Sequence, residues 1–123
     1  MSTMSPSERG LIANDNVDAA ELTAAYLSLL GYEVRVVHDG GAVLEAAASF
    51  EPRAVVLDIG LPTIDGLELA RRLRAIHGSA LKLIAATGYG QKSDHELGRG
   101  AGFDAYLVKP VDLDDLAAEL RKR

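Results

Sequence analysis

The chain has 123 residues, 48% hydrophobic and 25% charged, which suits one globular domain around one core. It holds no cysteine, which excludes disulfides, thiolate metal sites and thiol catalysis and fits a cytoplasmic protein. A formal net charge of −5 argues against a nucleic-acid-binding surface, and no apolar run is long enough to span a bilayer, so no membrane partner is expected.

Residues 1–8 are small and polar and lack the apolar centre of a signal peptide. They read as a disordered start, with the domain itself over 9–123. Leu11-Ile12-Ala13 is the first predicted strand. Asn16 caps a helix from Val17 to Leu30, with Asp18 and Glu21 in its first turn and Gly31 just past its end. Glu33 to Val37 is the second strand. Asp39-Gly40-Gly41 turns into an Ala-rich helix that ends near Phe50 and is stopped by Pro52. Ala54 to Leu57 is the third strand. After a loop from Gly60 to Gly66, a third helix is expected to bury Ile64, Leu67, Ala70 and Leu73 and to point Arg71, Arg72 and Arg74 outward. Gly78 ends it.

Leu81 to Ala86 is the fourth strand. The segment 91–100 has one large apolar residue, Leu97, and two glycines, so its helix should be marginal and mobile. Ala105 to Val108 is the fifth strand. Asp112 caps the last helix, whose buried stripe is Leu113, Leu116, Ala117 and Leu120. The basic Arg121-Lys122-Arg123 complements that helix's dipole. Strict β-α alternation implies a parallel sheet covered on both faces. Five strands in this length point to a flavodoxin-like (βα)5 three-layer sandwich in the order 2-1-3-4-5.

In that topology the C-terminal ends of strands 1, 3, 4 and 5 lie side by side, where open parallel sheets bind ligands. They bring together Asn14, Asp15, Asp58, Thr87 and Lys109. Asp58 follows a run of apolar residues and precedes Ile59-Gly60-Leu61-Pro62, so it is a carboxylate delivered by a buried strand to a turn. Its charge there needs a cation, hydrogen bonds or both. Asp15 and Asp58 suit a hard cation such as Mg²⁺, which accepts one or two carboxylates and keeps sites for water and phosphate. Lys109 can pair with a phosphoryl oxygen, or with Asp58 before reaction. Thr87 can donate to another phosphoryl oxygen, and Asp58 is the candidate nucleophile. Singly, each residue has an ordinary reading: Asn14 and Asp15 as turn formers, Thr87 as a strand former, Lys109 as a solvated edge lysine. His38, His77 and His95 share no metal-ligand spacing and read as surface residues.

From about Gly10 to Leu120 the chain resembles the receiver domains of two-component response regulators. The likeness rests on Asn14-Asp15-Asn16, Leu57-Asp58-Ile59-Gly60-Leu61-Pro62, Asp65-Gly66, Ala86-Thr87-Gly88 and Lys109-Pro110, in that order and at matching strand ends. The resemblance implies that Asp58 accepts a phosphoryl group from a sensor histidine kinase or a histidine phosphotransfer domain. It implies that Asp15, Asp58 and the carbonyl of Gly60 ligate Mg²⁺, that Thr87 and Lys109 bind phosphoryl oxygens, and that the Lys109-Pro110 bond is cis. Tyr106 matches the aromatic that turns inward when Thr87 moves. The face made by the fourth helix, fifth strand and fifth helix presents the change and serves homodimers in such proteins. The wording of 87–91 and 102–106 resembles receivers attached to hybrid histidine kinases.

The family usually has two acids at the end of strand 1, and here the first is Asn14. An amide oxygen still accepts a hydrogen bond from a metal-bound water but carries no charge, so weaker Mg²⁺ binding is expected. Gly60 has no side chain to orient water and Tyr89 can shield the site, which together imply a long-lived phosphate. The chain is thus read as a signalling module that catalyses its own phosphorylation, not as an enzyme on an external substrate. The alternative is a pseudo-receiver, a phosphate-independent interaction module, supported by Asn14 alone. A phosphatase of the haloacid dehalogenase type would carry an acid where Gly60 stands. A flavin carrier would not place Asn14-Asp15 at a phosphate loop.

Overall fold

A computed structural model of the chain describes residues 9–59, 66–87 and 102–122. Five parallel strands form one sheet in the order β2-β1-β3-β4-β5. They are β1 Arg9–Ala13, β2 Glu33–Val37, β3 Ala54–Asp58, β4 Lys82–Thr87 and β5 Ala105–Val108. The described helices are α1 Val17–Leu29, α2 Gly40–Phe50, α3 Gly66–His77 and α4 Leu113–Arg121. This is the flavodoxin-like sheet order expected from β-α alternation. The segments 1–8 and 91–100, for which disorder and a marginal helix are expected, lie outside the described residues.

Alternation along each strand divides the core in two. Leu11, Val55 and Leu83 meet Val43 and Ala47 of α2 and Leu69 and Leu73 of α3 on one face. Ile12, Val56 and Ile84 meet Ala20 and Leu27 of α1 and Leu116 of α4 on the other. Because both faces are covered, β3 is buried along its whole length and reads as continuous apolar sequence up to Asp58.

Helix ends follow local chemistry. The side chain of Asn16 accepts from Ala19 N–H, and Asp112 accepts from the N–H groups of Asp114 and Asp115. α1 ends in the left-handed Gly31 (φ 100°), with Tyr32 N–H returning to the Leu27 carbonyl. Glu21 falls beyond the first turn, which holds only Asp18. Gly40 and Gly41 lie inside α2 and not in a preceding turn, because Asp39 caps the helix by accepting from Ala42 N–H. A Cβ at Gly41 would sit 3.1 Å from that capping oxygen.

The predicted stripe of α3 needs correction. Its buried residues are Gly66, Leu69, Ala70 and Leu73, while Leu67 is half-buried and Ile64 lies outside the described residues. A strict spacing of three drifts around a helix of 3.6 residues per turn, whereas the 3-4 pattern stays on one face. Gly66 is fixed by contact, since a Cβ there would come within 2.8 Å of the Ile59 backbone. Arg74 does not point outward. Its guanidinium donates to the carbonyls of Gly78, Leu81 and Gly102 and pairs with Asp104 at 2.9 Å. In α4, Leu116 and Ala117 are buried, and Leu113 and Leu120 are only half-buried. None of the described helices is long and apolar enough to cross a membrane.

Candidate functional site

Strand register assembles the site. Ala13 pairs with Leu57, Asp58 with Ala86 and Thr87 with Val108, so β1, β3, β4 and β5 end at one edge. Ile59 N–H continues the ladder to the Ala86 carbonyl at 3.1 Å, and Lys109 N–H continues it to the Thr87 carbonyl at 2.8 Å. The Lys109-Pro110 peptide is cis. Asp58 is 3% exposed, and Lys109 Nζ lies 2.7 Å from its Oδ1. The charged pair satisfies the demand that a buried carboxylate be neutralised.

Thr87 is 1% exposed, and its Oγ1 has no hydrogen-bond partner among the described residues. Leaving a buried hydroxyl unpaired costs about 1–3 kcal/mol. Such a group calls for a functional account.

The loop after β1 is tightly organised. Asn14 N–H donates to the Val37 carbonyl, its Oδ1 accepts from Asn16 N–H at 2.9 Å, and Asn16 in turn caps α1. His38 Nδ1 lies 3.0 Å from the Asn14 carbonyl oxygen. Asn14 therefore serves as the turn former that its ordinary reading in the sequence gives it, whatever else it does at the site. Asp15 is exposed between these two amides. Asn14, Asp15, Asp58 and Lys109 all line one cleft of about 590 Å³. No group of three or more His, Cys, Asp or Glu side chains gathers as a metal site among the described residues. The oxygen-donor set of Asp15 and Asp58 fits a hard cation that completes its shell with water and backbone oxygen. Gly60 and Tyr89 lie outside the described residues.

Tyr106 is half-buried, its ring 5.8 Å from that of Phe103 at an interplanar angle of 59°. It packs on the α2–α3 face of the core. His38 is exposed, as read from sequence, and His77 is half-exposed. Sequence reading set Arg74 facing outward and assigned no contact to Phe103 or Asp104; Arg74 pairs with Asp104 at the chain's re-entry into β5, and Phe103 packs on Tyr106.

The sequence matches the response regulator receiver domain family over residues 11–121. The chain belongs to the response regulator receiver family. It is 40% identical over 115 residues to the response regulator MprA of Mycobacterium ulcerans, covering 94% of this chain and 49% of that protein. The chain thus spans about half the length of the curated relatives it matches. Among solved structures it resembles a CheY-like response regulator receiver domain protein from Methanospirillum hungatei, with a TM-score of 0.87, 30% identity and coverage of 93% and 90%. It also resembles the receiver domain of a sensor histidine kinase from Pseudomonas aeruginosa, solved with a magnesium ion in its active-site cleft. There the TM-score is 0.82, with 31% identity and coverage of 93% and 94%. The receiver fold accounts for the observed strand order and for a site built at four strand ends.

Proposed function

We propose that this receiver is a phosphoacceptor and that Asp58 carries the phosphoryl group. The observation that supports it most is the buried Asp58 carboxylate, paired to Lys109 at 2.7 Å, at the same sheet edge as Thr87, whose buried hydroxyl has no partner among the described residues. A carboxylate oxygen of Asp58 attacks phosphorus, and the bond from phosphorus to the donor's histidine nitrogen breaks. Lys109 then exchanges its carboxylate partner for a phosphoryl oxygen, and Thr87 donates to another. Asp15, Asp58 and the Gly60 carbonyl would hold Mg²⁺, with Asn14 reaching it through water. When bound, Mg²⁺ supplies positive charge opposite the phosphoryl oxygens. The magnesium-bound relative supports this assignment.

Movement of Thr87 toward the phosphate lets Tyr106 turn inward and biases a two-state equilibrium of the face around β5 and α4. The phosphoryl donor is a sensor histidine kinase or a histidine phosphotransfer domain, and the output is a changed protein contact, homodimerisation included. The location is cytoplasmic. The match to MprA supports a response regulator, and the likeness to a sensor kinase's receiver supports a hybrid kinase. The chemistry at Asp58 is the same in both.

Intact mass after incubation with Mg²⁺ and acetyl phosphate tests the reading. One added phosphoryl group, dependent on Mg²⁺ and absent in Asp58→Asn, is expected. No adduct at high Mg²⁺ and short sampling times would turn the reading to a pseudo-receiver.

A further inference from the structure

The cleft above Asp58 is larger than the chemistry at its floor requires. At about 590 Å³ it falls in the range of sites for small organic ligands. A phosphoryl group with a hydrated cation beside it fills the room of several waters, on the order of 300 Å³ at ~30 Å³ each. The polar lining comes from the strand ends, but the walls differ. α1 contributes Ala19 and Leu22, the approach to α4 contributes Val111, and α4 itself contributes Leu113 and Leu116. Leu22 is 64% exposed at the lip of an acidic site, and the chemistry at Asp58 makes no use of it.

We infer that this apolar-walled space receives the leaving group of a small-molecule phosphodonor, and that the chain selects acyl phosphates bearing a short aliphatic chain over acetyl phosphate. The inference rests on the phosphoacceptor role of Asp58. In phosphoryl transfer the attacking and leaving oxygens are roughly in line. Asp58 lies at the buried floor, so the leaving oxygen faces away from the floor, between α1 and α4. The step balances without a further reactant. An Asp58 oxygen forms the new bond to phosphorus, the bond from phosphorus to the acyl oxygen breaks, and the electron pair leaves with a free carboxylate. Lengthening the acyl chain adds methylenes that meet Leu22, Leu113 and Val111 and leaves the anionic end unchanged. A methylene fully removed from water is worth about a fourfold preference, and half-removal in an open cleft about twofold.

The test measures the rate of phosphoryl mass gain by the full chain with acetyl, propionyl and butyryl phosphate at fixed Mg²⁺. Their leaving groups are nearly equal in acidity, so differences report on the cleft. Phosphoramidate, which has no acyl chain, serves as the reference donor. The rate is expected to rise about twofold per methylene, and the butyryl-to-acetyl ratio to fall toward one in Leu22→Ser and Leu113→Ser. A flat or falling series, with the Asp58 adduct still forming, overturns the inference and leaves the phosphoacceptor reading intact. A rising series with the same slope in both variants overturns the placement of the chain in this cleft. No adduct from any donor, phosphoramidate included, overturns both.

Discussion

Asp58 and Lys109 are bonded to each other but do not contribute equally to stability. Asp58 is 3% exposed, whereas the Lys109 side chain is 41% exposed. Removing the lysine takes an ion-pair partner from a buried charge, and removing the carboxylate leaves a lysine that water can reach. Breaking a fully buried pair costs about 3–5 kcal/mol. With one partner so exposed, that figure must be discounted to about 1–2 kcal/mol. Lys109→Met is therefore expected to lower the urea midpoint clearly, at unchanged slope, and Asp58→Asn to leave it level or higher. Equal losses in both variants would contradict this asymmetry. Asn14 poses a separate question of charge. Its Oδ1 already holds Asn16 N–H, a bond that a carboxylate would also make. Asn14→Asp should keep the turn and add one negative charge, tightening Mg²⁺ binding severalfold in a titration followed by amide chemical shifts. Equal affinities would show that the missing charge does not limit binding.

Among the elements, α3 and α1 carry ties that no periodicity reveals. Arg74 bonds three carbonyls and Asp104, and Asp104 also accepts from Leu83 N–H. One guanidinium thus fastens the end of α3, the start of β4 and the approach to β5. Charge-assisted bonds contribute about 1.5–3 kcal/mol each at most, and the stranded acceptors are partly solvated, so Arg74→Ala should cost about 2–3 kcal/mol in chemical denaturation. Arg74→Lys should recover only part, because an ammonium cannot reproduce the planar fork. On the opposite face, Tyr26 of α1 donates its hydroxyl to Asp114 of α4. That bond, then desolvation and the charge of Asp114, raises the tyrosine's pKa above its ordinary 10.0. A raised folded-state pKa means stability that is fully present below pH 10 and lost as pH climbs through the folded value. Tyr26→Phe is expected to flatten that alkaline limb of the stability profile. An unchanged limb would place the titration elsewhere.

For the molecule as a whole, strand order and the convergence of Asn14, Asp15, Asp58 and Lys109 on one cleft were legible because both depend on repeated, local signals. Apolar runs alternate with capped helices, and the candidate site residues sit where those runs stop. Arg74 was not legible, since one arginine among three on an exposed helix looks like its neighbours until Gly102 and Asp104 are brought to it. Neither could sequence show that the Thr87 hydroxyl is buried without a partner among the described residues, on a strand whose register ties it to β5 at the edge of the sheet. Thr87 pairs with Val108, and Tyr106 pairs with Ala85 one pleat earlier on the same two strands. On the proposed function, this hydroxyl, which has no partner among the described residues, gains a phosphoryl oxygen to donate to and biases a two-state equilibrium. Thr87→Val keeps the shape and removes the polar atom. It should stabilise the unphosphorylated protein by up to about 1 kcal/mol, because the buried group's penalty of about 1–3 kcal/mol is partly relieved. It should also shrink the response of Tyr106 to phosphorylation, read as the chemical-shift change of fluorotyrosine on addition of a phosphodonor. If Thr87→Val is less stable than the parent, or if Tyr106 responds fully without the hydroxyl, the coupling runs through another part of the sheet.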